Sequence, residues 1–528
     1  MLPTLQKKEH IFVITCSFIL IVIIFLPAIV GSFSTPADKE FVFMAMTDHE
    51  DSNSYLSWIK QAQEGDILFK DKFTSELTKN LIFHPVFLFI GWTSNVLSVP
   101  IIYLWFLTII IANIFLLFTI YIFFSVFFKN IYHRIIAFLL ALTSSGFAWF
   151  LERFSGDHYL SEISVFRIIN RPFIVAFALG LMLWFFIFAL RSFKDKAPNK
   201  YAIFAGLAGL VLALIHPYNI VTIFVVLAVY IIINIPIKKY FKNFLWIFIL
   251  PLFPIIYDLI IQQLDWVINE HNKISINLEL NFFFIIFSFG LMFICSIPAI
   301  YLIIKKGQKR YYFLVFWAIL SLIMVYLPFS FRWRLILGAQ IPLVILTTYF
   351  LGHLYDLFSK NIKKVLKSSR IKKSIVITLF IILLLLSSLT TINQYNDLFK
   401  EILNHEYPFY IDQDVMQGIE WLNEYTNNED IVFSSEEIGN FIPGRSGNIV
   451  YLGHWAQTIN YLDKLNEAKS IFSGELHGSD LNNFIDDNNI QYIFYSRFEK
   501  KYGQNIDVSA LQKVYSNSTT TIFRVNNE

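Results

Sequence analysis

Residues 100–128 read PIIYLWFLTIIIANIFLLFTIYIFFSVFF, 29 positions without one charged side chain. About 20 such residues suffice to carry a helix across a hydrocarbon core. Segments of the same character recur at 11–30, 134–151, 172–190, 201–216, 219–236, 244–261, 280–304, 311–328, 335–354 and 374–392, which brings the predicted spans to eleven. The stretch 81–98 is apolar too, but shorter and interrupted by Pro85, Gly91 and Asn95, so it is expected to be an interfacial or re-entrant helix. Composition agrees. The 528 residues are 56% hydrophobic and only 15% charged, where a soluble chain runs near a quarter charged. That excludes disorder and a set of soluble domains. Whole apolar stretches, rather than alternation, exclude a β-barrel. The expected fold class is an all-α polytopic membrane domain with a small α/β domain at its C-terminal end.

Charge orders the spans. With the N-terminus inside, the inward segments 1–10, 129–134, 191–200, 237–243, 305–310 and 359–373 hold 22 Lys and Arg against two acids, Glu9 and Asp195. The outward loops 31–80, 152–171, 262–279 and 329–334 hold eleven basic residues and fifteen acidic ones. Basic residues concentrate on the cytoplasmic side of membrane proteins, so the pattern predicts a cytoplasmic N-terminus and an extracytoplasmic C-terminal domain. The first span follows Lys7 and Lys8 and lacks a clear small-x-small cleavage site, so it reads as a retained helix rather than a signal peptide. Cys16 and Cys295 both fall inside spans and offer no disulfide or zinc pattern. The basic residues sit in short loops between spans, which gives nucleic acid no surface to bind.

From residue 393 onward the composition changes, and 393–528 holds 20 of the 39 acids. Asp414–Tyr425 has apolar residues at helical spacing and is followed by the strand-like Ile431–Phe433. Leu481–Asp487 and Ile490–Tyr495 repeat that order, and Thr520–Val525 reads as a last strand. The expected domains are a membrane part, 1–392, and an outer α/β part, 393–528.

Candidate chemistry gathers in the outward loops. The first contains Asp48-His49-Glu50-Asp51-Ser52-Asn53-Ser54-Tyr55, ahead of an amphipathic helix that Ser52 or Asn53 would cap. Asp51 then precedes a helix N-terminus, which favours its ionised form. A solvated acidic cap gives the same pattern. In the second loop, Asp157-His158 could ligate a divalent metal or simply form a polar turn after Gly156. Arg171 closes that loop. His84, before Pro85, and His216-Pro217-Tyr218 lie at outer helix ends, where a histidine can line a pocket or satisfy backbone groups. Phe331-Arg332-Trp333-Arg334 sets two arginines at an outer interface. They suit a phosphate, or they anchor a helix to lipid head groups. Walker A, GxGxxG, HExxH and GxSxG patterns are absent.

Together these features resemble the GT-C superfamily of glycosyltransferases, polytopic enzymes that use polyprenyl-phosphate-linked sugars. The resemblance rests on Glu50-Asp51 in the long loop after the first span, and on Asp51…Tyr55-Leu56…Gly65 as an Asp…Tyr-Leu…Gly pattern. It rests also on Asp157 in the second acidic loop, on Arg332 or Arg334 late in the chain, and on a soluble tail containing Tyr451-Leu452-Gly453-His454-Trp455. The tail lacks the WWDYG-type motif of oligosaccharyltransferases. The resemblance implies transfer from a polyprenyl-phosphate sugar to a glycan, lipid or protein acceptor, with membrane lipid around it. Asp51 would act as base, with Glu50 or Asp48 assisting and His49 nearby. Arg332 and Arg334, or a divalent metal (Mg or Mn) held by Asp51, Asp157 and His158, would stabilise the leaving phosphate. His49, His84, Asp157, His158, Arg171, His216 and Tyr218 would complete the surroundings. A transporter or flippase of a lipid-linked or anionic solute is the alternative, and a non-catalytic sensor of cell-wall sugars a third reading. A transporter would call for internal repeats and charge at the membrane midplane, whereas here the charges gather in outer loops.

Overall fold

The computed structural model describes residues 5–44, 48–194, 199–273, 281–362, 369–503, 506–507 and 511–525, with side chains omitted at 358–377 and 379. The chain forms two compact units. One comprises Met1–Leu26, Thr108–Tyr257 and Ile276–Lys400. The other comprises Pro27–Leu107, Asp258–Ser275 and Glu401–Glu528.

Each of the eleven predicted spans falls on helix: Lys7–Ser34, Ile101–Phe127, Ile131–Thr143 with its continuation to Phe154, Phe173–Ser192, Lys200–Ile215, Asn219–Asn234, Phe241–Leu264, Phe282–Lys305, Tyr312–Met324, Gln340–Ile362 and Ser369–Leu403. Among the described residues, seven helices are long and apolar enough to cross a membrane. The helices Lys200–Ile215 and Asn219–Asn234 have 16 residues each, about 24 Å at 1.5 Å per residue, which falls short of a typical hydrocarbon core. Pro217 forces the turn between them and limits both. Ile11, Ile14, Phe18 and Val22 remain exposed on Lys7–Ser34, as a lipid-facing helix requires.

Within the first unit two helices break beside each other. Ile131–Thr143 stops and the chain re-enters helix at Ala148. Phe282–Lys305 kinks at Gly290, whose φ of 50° and ψ of −126° place it outside the helical region. The Phe147 N–H donates to the Phe287 carbonyl at 3.0 Å, so one break satisfies the other. A Cβ on Gly290 would stand 3.1 Å from the Gly146 Cα, so both the backbone angle and the close approach select glycine.

The second unit is built on a mixed sheet. Its strands, in chain order, are β1 Lys39–Phe41, β2 Tyr410–Asp412, β3 Ile431–Phe433, β4 Ile449–Val450, β5 Ile490–Tyr495, β6 Leu511–Ser516 and β7 Thr521–Val525. Five of them align as β4-β3-β5-β7-β6, with β3 parallel to β4 and β5 and the remaining pairs antiparallel. Alternation sorts the two faces. Val432, Tyr492 and Phe494 join a core with Val415, Ile419 and Leu422 of the helix Gln413–Tyr425. Ile431, Phe433, Ile493 and Tyr495 join another with Ile471, Phe472, Leu481 and Ile485. The strand-and-helix order expected from the tail is present.

The first outward loop belongs to this unit. β1 pairs antiparallel with β2, Glu40 opposite Ile411. The Val450 N–H donates to the Lys72 carbonyl at 2.9 Å, and the Lys72 ammonium caps the Asn428 and Gly447 carbonyls at 3.1 and 2.5 Å. The predicted short helix is Pro85–Leu97, packed on the helix His49–Glu64. At Gly91 an added Cβ would stand 2.4 Å from the Ile59 carbonyl oxygen, so only glycine allows that approach.

Candidate functional site

Sequence-predicted site residues gather in each unit. In the first unit the hairpin His216–Tyr218 and the turn Phe331–Arg334 meet. The Arg334 guanidinium lies 4.5 Å from the centroid of the Tyr218 ring and 5.0 Å from that of Trp333. Tyr218 packs on Phe331 at 4.8 Å and on His216 at 5.6 Å. The Thr222 hydroxyl donates to the Leu335 carbonyl at 3.3 Å and ties the turn to the next helix. His216, 7% exposed, feels the charges of both Arg334 and Arg171. Arg171 is itself buried and bonded to Glu162 at 2.5 Å. Three predicted residues, Arg334, Tyr218 and His216, thus pack together, and a fourth, Arg171, acts on His216 through its charge. Arg332 opens the turn, its backbone N–H donating to the Phe329 carbonyl at 3.2 Å.

Asp157 and His158 occupy a tightly bonded turn. One Asp157 oxygen accepts from the Gly146 N–H at 2.7 Å, and the other from the Ala148 N–H at 3.2 Å and the Ser155 hydroxyl. Burial raises its pKa, and these bonds oppose the rise. Its carbonyl accepts from Arg167 and Gln394. His158 lies edge-on to Tyr159, with Glu152 at 3.8 Å. Among the described residues no group of three or more His, Cys, Asp or Glu side chains is arranged to hold a metal ion. Both Asp157 oxygens accept bonds from amides, and one of them from a hydroxyl as well.

In the second unit the helix His49–Glu64 begins earlier than the sequence suggests. Asp48 occupies the N-cap position with left-handed backbone angles, φ 62° and ψ 51°, and makes no side-chain cap bond. Ser52 and Asn53 are buried inside the helix, and the Ser52 hydroxyl returns to the Asp48 carbonyl at 2.8 Å. The expected cap at Ser52 or Asn53 is overturned, because Asp48 turns the chain into the helix four residues sooner. Glu50 and Asp51 consequently lie in the first turn, where free N–H groups favour negative charge.

Asp51 is held from the tail domain. Its Oδ1 lies 3.3 Å from His454 Nε2, with the Asp51 side chain 35% exposed and that of His454 3% exposed. The Ala456 N–H donates to His454 Nδ1 at 3.1 Å, so that nitrogen carries a lone pair and the ring proton resides on Nε2. His454 therefore donates to Asp51. The ring packs against Trp455 and edge-on to Phe73. Burial pushes the Glu50 carboxyl up, with Glu436 and Asp51 adding to the rise and His454 opposing it. His49 packs edge-on to Phe409, and desolvation holds its imidazole down to about 4. His84 instead caps Pro85–Leu97, its Nδ1 accepting from the Phe87 N–H at 3.4 Å while the ring stacks on Phe87.

A second carboxylate–imidazole pair lies in the same unit. Asp71 Oδ2 is 3.3 Å from His271 Nε2, which also donates to the Gln457 carbonyl at 2.7 Å. Burial raises the Asp71 pKa, and interactions with His271 and His454 oppose the rise. Sequence reading gave Asp71 and His271 no place, and met His454 only inside the tail segment Tyr451–Trp455, without a role. The one local signal was Gly453-His454-Trp455, a histidine set among turn residues in an acidic tail.

No protein-family model matches the sequence, and no curated protein does. Solved structures do match in shape. The oligosaccharyltransferase AglB from Archaeoglobus fulgidus, solved with an inhibitory peptide and a dolichol-phosphate, superposes with a TM-score of 0.53 at 13% identity, over 95% of this chain and 72% of that one. ArnT from Cupriavidus metallidurans, bound to undecaprenyl phosphate, gives 0.52 at 10% identity over 98% of each. The arabinofuranosyltransferase AftD from Mycobacteria gives 0.59 at 10% identity, over 99% of this chain but 40% of that one. This multi-pass membrane chain has the fold of the GT-C glycosyltransferases.

Proposed function

We propose that the protein is a membrane glycosyltransferase that moves a sugar from a polyprenyl-phosphate donor to an acceptor hydroxyl of the cell envelope, at the outer membrane face. The N-terminus is cytoplasmic and the domain from residue 393 onward is extracytoplasmic in this reading, as the charge asymmetry of the loops supports. The observation that carries it is Asp51. It is a partly exposed carboxylate in the first turn of an outer-loop helix, bonded to a buried imidazole in a chain with a glycosyltransferase fold.

The reaction is a single inverting displacement. Asp51 accepts the proton of the acceptor hydroxyl. The freed electron pair forms the bond to the anomeric carbon. The bond from that carbon to the phosphate oxygen breaks, and its electron pair leaves with the polyprenyl phosphate. Arginine suits the departing anion, because its planar donors match phosphate geometry and its charge does not titrate. Arg334, braced on Tyr218 and Trp333, takes that role, with Arg332 beside it in sequence. Glu50, held towards its protonated form by burial, is a poorer base than Asp51 and supports the site electrostatically. No step is routed through a metal.

The test is purified protein in lipid, supplied with a panel of polyprenyl-phosphate sugars and a crude envelope extract as acceptor source. Wild type is expected to release polyprenyl phosphate and label an acceptor. Asp51→Asn, still folded, is expected to do neither. Turnover undiminished in Asp51→Asn would remove Asp51 from the reaction.

A further inference from the structure

We infer that His454 is a positioning residue for Asp51, so that the C-terminal domain supplies part of the catalytic apparatus rather than a passive cover. The inference rests on the reading of Asp51 as the base and extends it to a residue 403 positions away in sequence.

Burying an imidazole is costly unless both nitrogens find partners. His454 meets that condition in a specific way. Nδ1 is occupied by the Ala456 N–H, and the next two amides, Gln457 and Thr458, donate to the His454 carbonyl at 3.0 and 2.8 Å. The turn therefore fixes the ring at its own backbone. The Thr458 hydroxyl donates to the Phe73 carbonyl at 2.7 Å and accepts from the Gly453 N–H at 3.1 Å, which ties both flanks of the turn. His271 adds a third tie through the Gln457 carbonyl. The only ring nitrogen left to donate is Nε2, and its partner is Asp51.

This arrangement excludes a proton relay through the ring. A relay needs a titratable acceptor on Nδ1, and that position holds a peptide N–H. The consequence is static: one Asp51 oxygen is pinned by an N–H donor, which orients the carboxylate. Other charges feel the same ring. Glu50 from the helix His49–Glu64 and Asp71 from the outward loop both interact with His454, and Glu436 of the tail acts on Glu50. His454 is thus the donor within a group of carboxylates.

Three variants separate orientation from packing. His454→Phe keeps the ring against Trp455 and Phe73 but removes the N–H. His454→Ala removes both. His454→Gln restores an amide N–H near the position of Nε2. Loss of a charge-assisted hydrogen bond predicts a fall in kcat of about 10- to 100-fold for His454→Phe and His454→Ala, with donor KM changed less than about 3-fold. His454→Gln is expected within about 5-fold of wild type. Thermal unfolding of each variant, with and without polyprenyl phosphate, checks the fold independently of activity. His454→Phe with wild-type kcat, or His454→Gln as impaired as His454→Ala, overturns the inference. Asp51→Asn at wild-type activity defeats the underlying reading instead, whatever the His454 variants do.

Discussion

The two units carry opposite electrostatic chemistries. The first sets the Arg334 guanidinium over the Tyr218 ring and bonds Arg171 to Glu162. The second sets carboxylates beside imidazoles, with Asp51 by His454 and Asp71 by His271. Guanidinium charge is constant over the working pH range, whereas carboxylates and imidazoles gain and lose protons within a few units of neutrality. A glycosyl transfer needs both kinds of group: a permanent positive charge for a phosphate that departs, and a proton acceptor for a hydroxyl that attacks. In the proposed reaction the guanidinium would serve the phosphate and the carboxylate the hydroxyl, each group used for what its chemistry allows.

The largest expected effect breaks the second cluster. Asp51→Asn keeps shape and removes basicity, and transfer is expected to fall by about 10³-fold, in line with the contribution of a general base, with donor binding retained. The readout is turnover beside a donor-induced thermal shift.

The next effect falls on stability in the first cluster. Glu162 is 1% exposed and Arg171 7% exposed. Glu162→Gln leaves the Arg171 charge buried with a weaker partner, and a loss of about 3 kcal/mol is expected, following the cost of breaking buried pairs. Thermal or denaturant unfolding in detergent measures it.

A smaller effect sharpens the role of arginine. Arg334→Lys preserves charge but loses the planar stack on Tyr218 and Trp333. Donor KM is expected to rise by about 5- to 10-fold with kcat held within about 2-fold. An unchanged KM would mean that Arg334 merely anchors the turn.

The smallest effect is a pH dependence in the second cluster. His49 is held neutral by burial, at about 4 when folded against an ordinary 6.5. The folded state binds fewer protons there, so stability is full above 6.5 and declines as pH falls towards 4. Glu50, raised by burial, works in the opposite sense, favouring the fold at low pH and losing that contribution as pH rises through its folded value. His49→Phe is expected to flatten the decline between pH 6.5 and 4, read from unfolding midpoints at several pH values. An unchanged slope would show that His49 is not the group responsible.

Much of this architecture was legible because local pattern encodes it. Apolar runs such as 100–128 become helices whatever their neighbours, and the tail's helix-then-strand order reappears at Gln413–Tyr425 with β3 and at Ser479–Asp487 with β5. Arg334, Tyr218, His216 and Arg171 were picked out one by one by charge or ring chemistry at outer helix ends, and the fold gathers them. What stayed hidden depends on distance along the chain. The pairing of Lys39–Phe41 with Tyr410–Asp412 and the bond from His454 to Asp51 join segments some hundreds of positions apart, and neither leaves a periodic trace. The start of the helix His49–Glu64 was missed for a local reason. Capping preference ranks aspartate, asparagine and serine alike and so did not choose among Asp48, Ser52 and Asn53, and Asp48 adopts left-handed angles without a cap bond.

The most direct measurement follows donor binding and turnover together in Asp51→Asn and Arg334→Ala. Protein in lipid vesicles is titrated with a polyprenyl-phosphate sugar that wild type consumes. Thermal protection reports binding, and release of polyprenyl phosphate reports chemistry. We expect Asp51→Asn to bind donor as wild type does and to release nothing, and Arg334→Ala to lose protection and turnover together. The contradicting result is Asp51→Asn releasing polyprenyl phosphate at the wild-type rate, which would leave the carboxylate–imidazole cluster without a part in the reaction.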